Sequence, residues 1–123
     1  MLCFKARINA LLKGRRTTLF NIFQGDSYNL AIEITDTNGD TVGLDDVLDV
    51  EITIGRLTKS YLLGELEYED GYWIFHLAQE ESFGYIPALA KGQVRVLFED
   101  GTIEGADLGE IRIHESKSRE VLI

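Results

Sequence analysis

The chain has a single cysteine, a single proline and no long apolar run, and each shortage narrows what the protein can be. With Cys3 alone, no disulfide forms within the chain, so we expect folding in a reducing, intracellular compartment. One cysteine is also too few for a cysteine-rich zinc site. The longest apolar stretches are a few residues, far short of the ~20 needed to span a bilayer. Because no Pro, Ser, Gly or Gln tract suggests a linker, the 123 residues are predicted to form one domain.

Motifs that carry reaction chemistry are also missing. The sequence has no Gly-x-Ser-x-Gly elbow, no phosphate-binding loop and no dinucleotide fingerprint. Its two histidines, His76 and His114, fall on separate predicted strands, with no nearby cysteine and no zinc-ligand spacing. We therefore expect a protein that is not an enzyme and has no catalytic residues, no cofactor and no specific metal.

Two groups of acidic residues resemble cation sites only in part. Residues 36–40, Asp-Thr-Asn-Gly-Asp, imitate the start of a calcium loop, but the glycine is fourth rather than sixth. Val47 stands where the bidentate glutamate of such a loop belongs, so a hairpin turn is the favoured interpretation. The second group consists of Asp45, Asp46 and Asp49. Loose cation binding and a solvated corner explain this group equally well.

The chain does have a regular alternation of apolar and polar residues, interrupted by glycine-containing turns. In Tyr28–Thr35 the large apolar side chains occupy every second position, and Val50–Ile54 and Gln93–Phe98 follow the same period. A period of two places such side chains on one face of a strand. Seven or so short strands at this spacing predict an all-β, immunoglobulin-like antiparallel β-sandwich. The predicted core comprises Leu30, Ile32, Ile34, Ile52, Ile54, Ile74, Val94 and Val96.

The sandwich is predicted to occupy residues 17–123 and to follow an N-terminal arm, residues 1–16. Tyr61–Tyr68 is predicted to be one strand. Tyr72–Leu77 is predicted to be a central strand, because both of its faces are apolar. Two short segments are predicted to form helical turns: Leu44–Val47 and Ala78–Ser82.

Charge is divided unevenly along the chain. Twelve basic and 21 acidic residues give a net charge of −9, yet the first acid is Asp26. Residues 1–16 therefore carry +5, and the rest of the chain carries −14. Four explanations fit such an arm: a targeting peptide, a nucleic-acid contact, assembly with another subunit, and a frayed terminus. The acidic body would repel phosphate, which disfavours nucleic acid.

Assembly and a frayed terminus stay equal alternatives. Exposed charges are screened within ~8 Å at physiological salt, so under assembly the charge guides docking. The apolar residues of the arm would then supply the burial that holds the contact. The interface predicted on this basis comprises Lys5, Arg7, Ile8, Leu11, Leu12, Lys13, Arg15 and Arg16.

Short motifs in both halves of the chain resemble one known family. Phe23–Tyr28, with the sequence Phe-Gln-Gly-Asp-Ser-Tyr, leads into an alternating strand and the turn at residues 36–40. Gly43–Asp45, Val50–Ile54, Trp73–Leu77, Gly92–Val96 and Asp100–Thr102 continue the pattern. Over roughly residues 20–122 the chain resembles the amino-terminal domain of the phage baseplate upper protein family.

The resemblance implies a structural subunit of a phage or prophage virion, in a baseplate, a tail or a related assembly. Its implied partners are other virion subunits or further copies of itself. The residues themselves predict no nucleic-acid partner and no membrane span, and they identify no small-molecule substrate. Its implied location is the virion, assembled in the host cytoplasm.

The alternative is a small β-sandwich module that binds a ligand or carbohydrate. That hypothesis rests on a set of aromatic side chains: Tyr61, Tyr68, Tyr72, Trp73 and Tyr85. Alternation places several of them in the core, so the binding module ranks second and an enzyme third.

Overall fold

The computed structural model describes residues 8–12, 19–118, 121 and 122, and it folds them into two packed β-sheets. The strands of this part of the chain are β1 Ile8–Leu12, β2 Leu19–Phe23, β3 Tyr28–Asp36, β4 Val47–Ile54, β5 Leu57–Ser60, β6 Leu66–Glu69, β7 Tyr72–Leu77, β8 Leu89–Phe98 and β9 Ile103–His114. A 3-10 turn, Leu44–Asp46, precedes β4, and helix α1, Gln79–Phe83, connects β7 to β8. Both helical turns were predicted from the sequence. None of the described helices is long and apolar enough to cross a membrane.

Sheet A has the strand order β1-β3-β7-β6, and sheet B has the order β2-β9-β8-β4-β5. This two-layer arrangement confirms the all-β, immunoglobulin-like sandwich. One pair departs from the antiparallel prediction, because β2 runs parallel to β9 with Leu19 opposite Glu110. Strand β1 lies at one edge of sheet A, and β2 lies at one edge of sheet B beside the last strand, β9. Local turn residues carry no signal for such a distant pairing.

The core lies between the two sheets, where alternate residues of each strand meet. Ile32 and Ile34 from sheet A and Ile52 and Ile54 from sheet B are fully buried there. The predicted core is confirmed except for Ile74, which lies on the outer face of sheet A. Its neighbours in β7 are buried instead: Trp73, Phe75 and Leu77. Both faces of this strand are apolar, so alternation alone could not choose between them.

The predicted strand Tyr61–Tyr68 is confirmed only at residues 66–68, which belong to β6, and it is wrong at residues 61–65. Strand β5 ends at Ser60 in sheet B, and the chain turns through residues 61–64 before β6 begins in sheet A. Gly64 closes this turn with φ +78°, a conformation that favours glycine, and its N–H donates to the carbonyl of Tyr61 at 2.9 Å. The apolar Tyr61-Leu62-Leu63 run looks like a strand in sequence but forms the crossing between the sheets.

Candidate interaction surfaces

Within the described residues, the strands of sheet A carry acidic side chains but no lysine or arginine on their outer face. No strand of sheet A contains lysine or arginine. Glu67 and Glu69 are exposed on β6, and Glu33 is half-buried on β3. None of these three glutamates forms an ion pair within the described residues. We call this surface the acidic face and define it by Glu33, Glu67 and Glu69 together with Ile74 and His76. Its charge is unbalanced, so it favours a basic partner.

A shallow groove of about 270 Å³ crosses the acidic face beside β6. Glu65, Glu67 and Glu69 line it on the β6 side, while Ile74 gives it an apolar patch. Ile74 lies directly opposite Glu67 in the pairing of β6 with β7. The groove therefore combines carboxylates with an apolar contact, which suits a segment that carries both basic and apolar side chains.

The outer face of sheet B carries both charges in alternation with polar groups. Arg95 of β8 lies opposite Glu51 of β4, and their side chains form an ion pair at 3.5 Å. Thr53 and Thr58 share a hydrogen bond of 2.8 Å across β4 and β5. Because opposite charges are mixed on this surface, it has less need of a charged partner than the acidic face has.

The side of the sandwich where β5 meets α1 contains a part-buried ion pair. Lys59 points inward from the edge strand β5, with its ammonium 3.0 Å from Glu81 and 5.2 Å from the centre of the Phe75 ring. Burial tends to raise the pKa of Glu81, but the Ala78 N–H and Lys59 outweigh it and leave that pKa below its ordinary value. An inward-pointing charge on an edge strand protects that edge from pairing with another chain. Sheet B is therefore closed to strand addition at β5.

Three of the acidic residues in the two groups, Asp36, Asp46 and Asp49, accept hydrogen bonds from nearby backbone N–H groups. One Asp49 oxygen accepts the Leu62 N–H and the Ser60 hydroxyl, both at 2.9 Å. Asp46 accepts the Gly43 N–H at 3.0 Å. Asp36 accepts the N–H groups of residues 38 and 40 at 2.9 and 3.0 Å, which makes the predicted hairpin turn. Within the described residues, no group of three or more His, Cys, Asp or Glu side chains is placed to hold a metal.

Each histidine is paired with an asparagine on a neighbouring strand. His76 Nδ1 lies 2.6 Å from the side-chain oxygen of Asn29, and His114 Nε2 lies 2.8 Å from that of Asn21. The His114 ring also stacks on Phe23, with ring centres 4.5 Å apart. The two histidines belong to different sheets, so they do not form a metal-binding pair.

The aromatic side chains that suggested a carbohydrate site mostly pack against the core. Trp73 is fully buried and donates its indole N–H to the Val42 carbonyl at 3.2 Å. Tyr61 and Tyr68 pack around it, with ring centres 5.3 and 4.8 Å away. Tyr85 is buried, which raises its pKa, and its hydroxyl donates to the Ile54 carbonyl at 2.6 Å. These rings do not form an open platform for a sugar.

The Gln24-Gly25 corner between β2 and β3 has a structural role that the sequence analysis missed. Gln24 is 3% exposed; its side-chain NH2 donates to the Tyr85 carbonyl at 2.7 Å, and its oxygen accepts the Ser116 N–H at 3.1 Å. Gly25 has φ +84°, and a Cβ there would lie 2.5 Å from the Phe83 ring. This corner joins the beginning of the sandwich to α1 and to the C-terminal segment. In the sequence, the signal for this role is a glutamine directly before a turn glycine. That signal does not indicate which residues the glutamine contacts.

The structure describes part of the predicted N-terminal interface. Ile8, Leu11 and Leu12 lie in β1, which pairs antiparallel with β3 at the edge of sheet A. The basic members of the interface lie outside the described residues: Lys5, Arg7, Lys13, Arg15 and Arg16. The interface itself stays a prediction.

Comparison with known proteins identifies the fold class. No family model matches the chain, and no curated protein matches it. Among solved structures, the fibronectin(III)-like modules of CbhA from Clostridium thermocellum are similar, with a TM-score of 0.52 and 12% sequence identity. The match covers 93% of this chain and 98% of that one. The chain thus has the fold of a fibronectin III-like module, an immunoglobulin-like β-sandwich, and at this identity the likeness concerns the fold alone.

Proposed function

We propose that the chain is a non-enzymatic structural domain that acts through protein–protein contacts, as a subunit of a phage or prophage virion. The observation that carries the proposal is the acidic face, an exposed sheet surface with no basic residue in its strands and a basic segment elsewhere in the same chain. A surface with charge of one sign selects partners of the opposite sign and repels its own kind.

The chemistry of the described residues supports a scaffold rather than a catalyst. The histidines bind asparagines, and Asp36, Asp46 and Asp49 stabilise turns through backbone N–H groups. Side chains used in this way hold the loops in place. The placement in a baseplate or tail rests on the sequence resemblance described above.

The proposal is tested by purifying virus particles from a host culture that carries the gene and searching them for this chain by mass spectrometry. The chain should sediment with the particles at a fixed ratio to the major structural proteins. Its absence from particles, with the chain present in the lysate, would overturn the virion role. Genes for tail, portal or capsid proteins beside this gene support the proposal, and a purely metabolic neighbourhood contradicts it.

The carbohydrate-binding alternative retains Tyr72, a half-exposed side chain of sheet A that, unlike Tyr61 and Tyr68, is not packed against the core cluster. Titration with a panel of oligosaccharides, monitored by the NMR signals of Tyr72 and its neighbours, tests that alternative. We expect no saturable shift in the wild type. A saturable shift that Tyr72→Ala removes would favour the binding module.

A further inference from the structure

The two free edges of sheet A differ in charge. Within the described strands, β6 pairs only with β7 and β1 pairs only with β3. Strand β6 contains Glu67 and Glu69 and follows Glu65 directly. Strand β1 has basic residues on both sides of it in the sequence: Lys5 and Arg7 before it, and Lys13, Arg15 and Arg16 after it. An unpaired edge offers backbone donors and acceptors to another strand, so each edge is a site where a second chain can add.

The charges determine which edges can meet. Two β6 edges would bring glutamates together, and two β1 edges would bring lysines and arginines together, so both combinations are repelled. A β1 edge beside a β6 edge brings opposite charges together. The two strands are also similar in length, five residues in β1 and four in β6. The glutamates on β6 thus disfavour pairing with an acidic strand and favour pairing with a strand that has basic flanks.

We propose that β1 of one copy pairs with β6 of the next, so that sheet A continues from chain to chain. The basic residues beside β1 then contact the carboxylates of the acidic face, and the groove along β6 receives the flank of the incoming strand. This inference rests on the proposed function, because it names the partner of the acidic face as a second copy of this chain. The contact joins two different surfaces, so the assembly is head-to-tail and forms a closed ring or an open chain.

The experiment exchanges charges between the two edges in the full chain. The first variant is Glu67→Lys with Glu69→Lys, and the second is Lys5→Glu with Arg7→Glu. A control, Asp107→Lys with Glu110→Lys, makes the same charge change as the first variant at exposed positions of β9 in sheet B. Light scattering at low salt measures the molar mass over a range of protein concentrations, and circular dichroism checks that each variant is folded.

We expect the wild type and the control to exceed the 13.9 kDa of one chain. Each edge variant alone should have the mass of one chain, because its apparent dissociation constant for self-association is raised roughly tenfold or more. An equal mixture of the two edge variants should recover the wild-type mass, because an acidic β1 edge then meets a basic β6 edge. If an edge variant fails to fold, Glu67→Gln with Glu69→Gln replaces the first variant and should weaken assembly without reversing the charge.

Other outcomes overturn the inference in distinguishable ways. If each edge variant alone assembles as well as the wild type, the interface lies elsewhere, and the proposed function then survives without this contact. A wild type that stays at one chain mass at every concentration excludes edge-to-edge assembly of this chain. In that case the search for the chain in virus particles decides the proposed function separately.

Discussion

Sheets A and B supply the same kind of side chain to their shared core but differ on their outer faces. Ile32 in sheet A and Ile52 in sheet B are both fully buried between the layers. On the outside, sheet B pairs Arg95 with Glu51, whereas the strands of sheet A contain acids and no base. The inner and outer faces of the sheets therefore have different roles. The inner faces stabilise the sandwich, and the glutamates on the outer face of sheet A have no ion-pair partner among the described residues.

The largest expected effect tests whether the inner faces are equivalent. Ile32→Ala and Ile52→Ala should each lower the free energy of unfolding by about 2–5 kcal/mol, because each leaves a cavity in a fully buried site. Urea denaturation measures both changes. Ile74→Ala, on the outer face of sheet A, serves as the control and should cost clearly less. A cost near zero at Ile32 or Ile52 would mean that one sheet does not belong to the common core.

The second prediction concerns the corner that joins the sheets. Gly25 lies between β2 of sheet B and β3 of sheet A, and Gly25→Ala adds a Cβ both at positive φ and against the Phe83 ring. Gly71→Ala, in the β6–β7 turn of sheet A, is a matched control, since its φ of +86° is similar and nothing lies within 4 Å. Backbone strain alone costs roughly 1–3 kcal/mol. Thermal denaturation should show a greater loss at Gly25, and equal losses would mean that Phe83 moves aside freely.

The third prediction is a pH dependence at the Lys59–Glu81 contact, which connects β5 of sheet B to α1. The pKa of Glu81 in the folded chain lies below its ordinary 4.5, so this carboxylate adds stability above pH 4.5 that is lost as pH falls through the folded-state pKa. Glu81→Gln should therefore be less stable than the wild type at neutral pH, and the difference should shrink in acid. Melting temperatures across that pH range measure it, with Glu80→Gln, an exposed neighbour on α1, as the control. A difference that stays constant with pH would show that Glu81 acts only through packing.

The smallest effect compares the two outer faces directly. Glu51→Gln removes an ion pair with Arg95 and should lower stability by about 0.2–1 kcal/mol. Glu67→Gln removes one charge from a surface of like charges and should leave stability unchanged or raise it by a few tenths of a kcal/mol. Chemical denaturation in low salt, at concentrations where the chain is monomeric, gives both values. The same sign and size of change at both positions would remove the electrostatic distinction between the sheets.

Sequence reasoning succeeded where a strand has one apolar and one polar face. The alternation in Tyr28–Thr35 and Val50–Ile54 identified β3 and β4 and the buried side of each. It failed at β7, where Trp73 and Ile74 lie on opposite faces and both are apolar. It also failed at residues 61–64, because an apolar run that crosses between sheets resembles one that lies within a sheet.

The candidate site was only partly predictable, because it depends on which strands become neighbours. The uneven charge along the chain indicated a basic segment and an acidic body. It did not indicate that β3, β6 and β7 would form one surface without lysine or arginine, since the described lysines and arginines after residue 16 lie outside these three strands. The contacts of Gln24 with Tyr85 and Ser116 join residues 61 and 92 positions apart, beyond the reach of any local pattern.

The parallel pairing of β2 with β9 affects the order in which the strands pair during folding. Strand β2 cannot dock until β9 exists as a template, and the contact of Gln24 with Ser116 joins residues 92 positions apart. Closing so long a loop is entropically slow, and sandwiches dominated by distant contacts fold in milliseconds to seconds. The hairpin of β6 and β7 closes over a short turn and is free to form early. During synthesis the acidic edge of β6 therefore precedes the pairing of β2 with β9, and its glutamates repel the same edge of another copy.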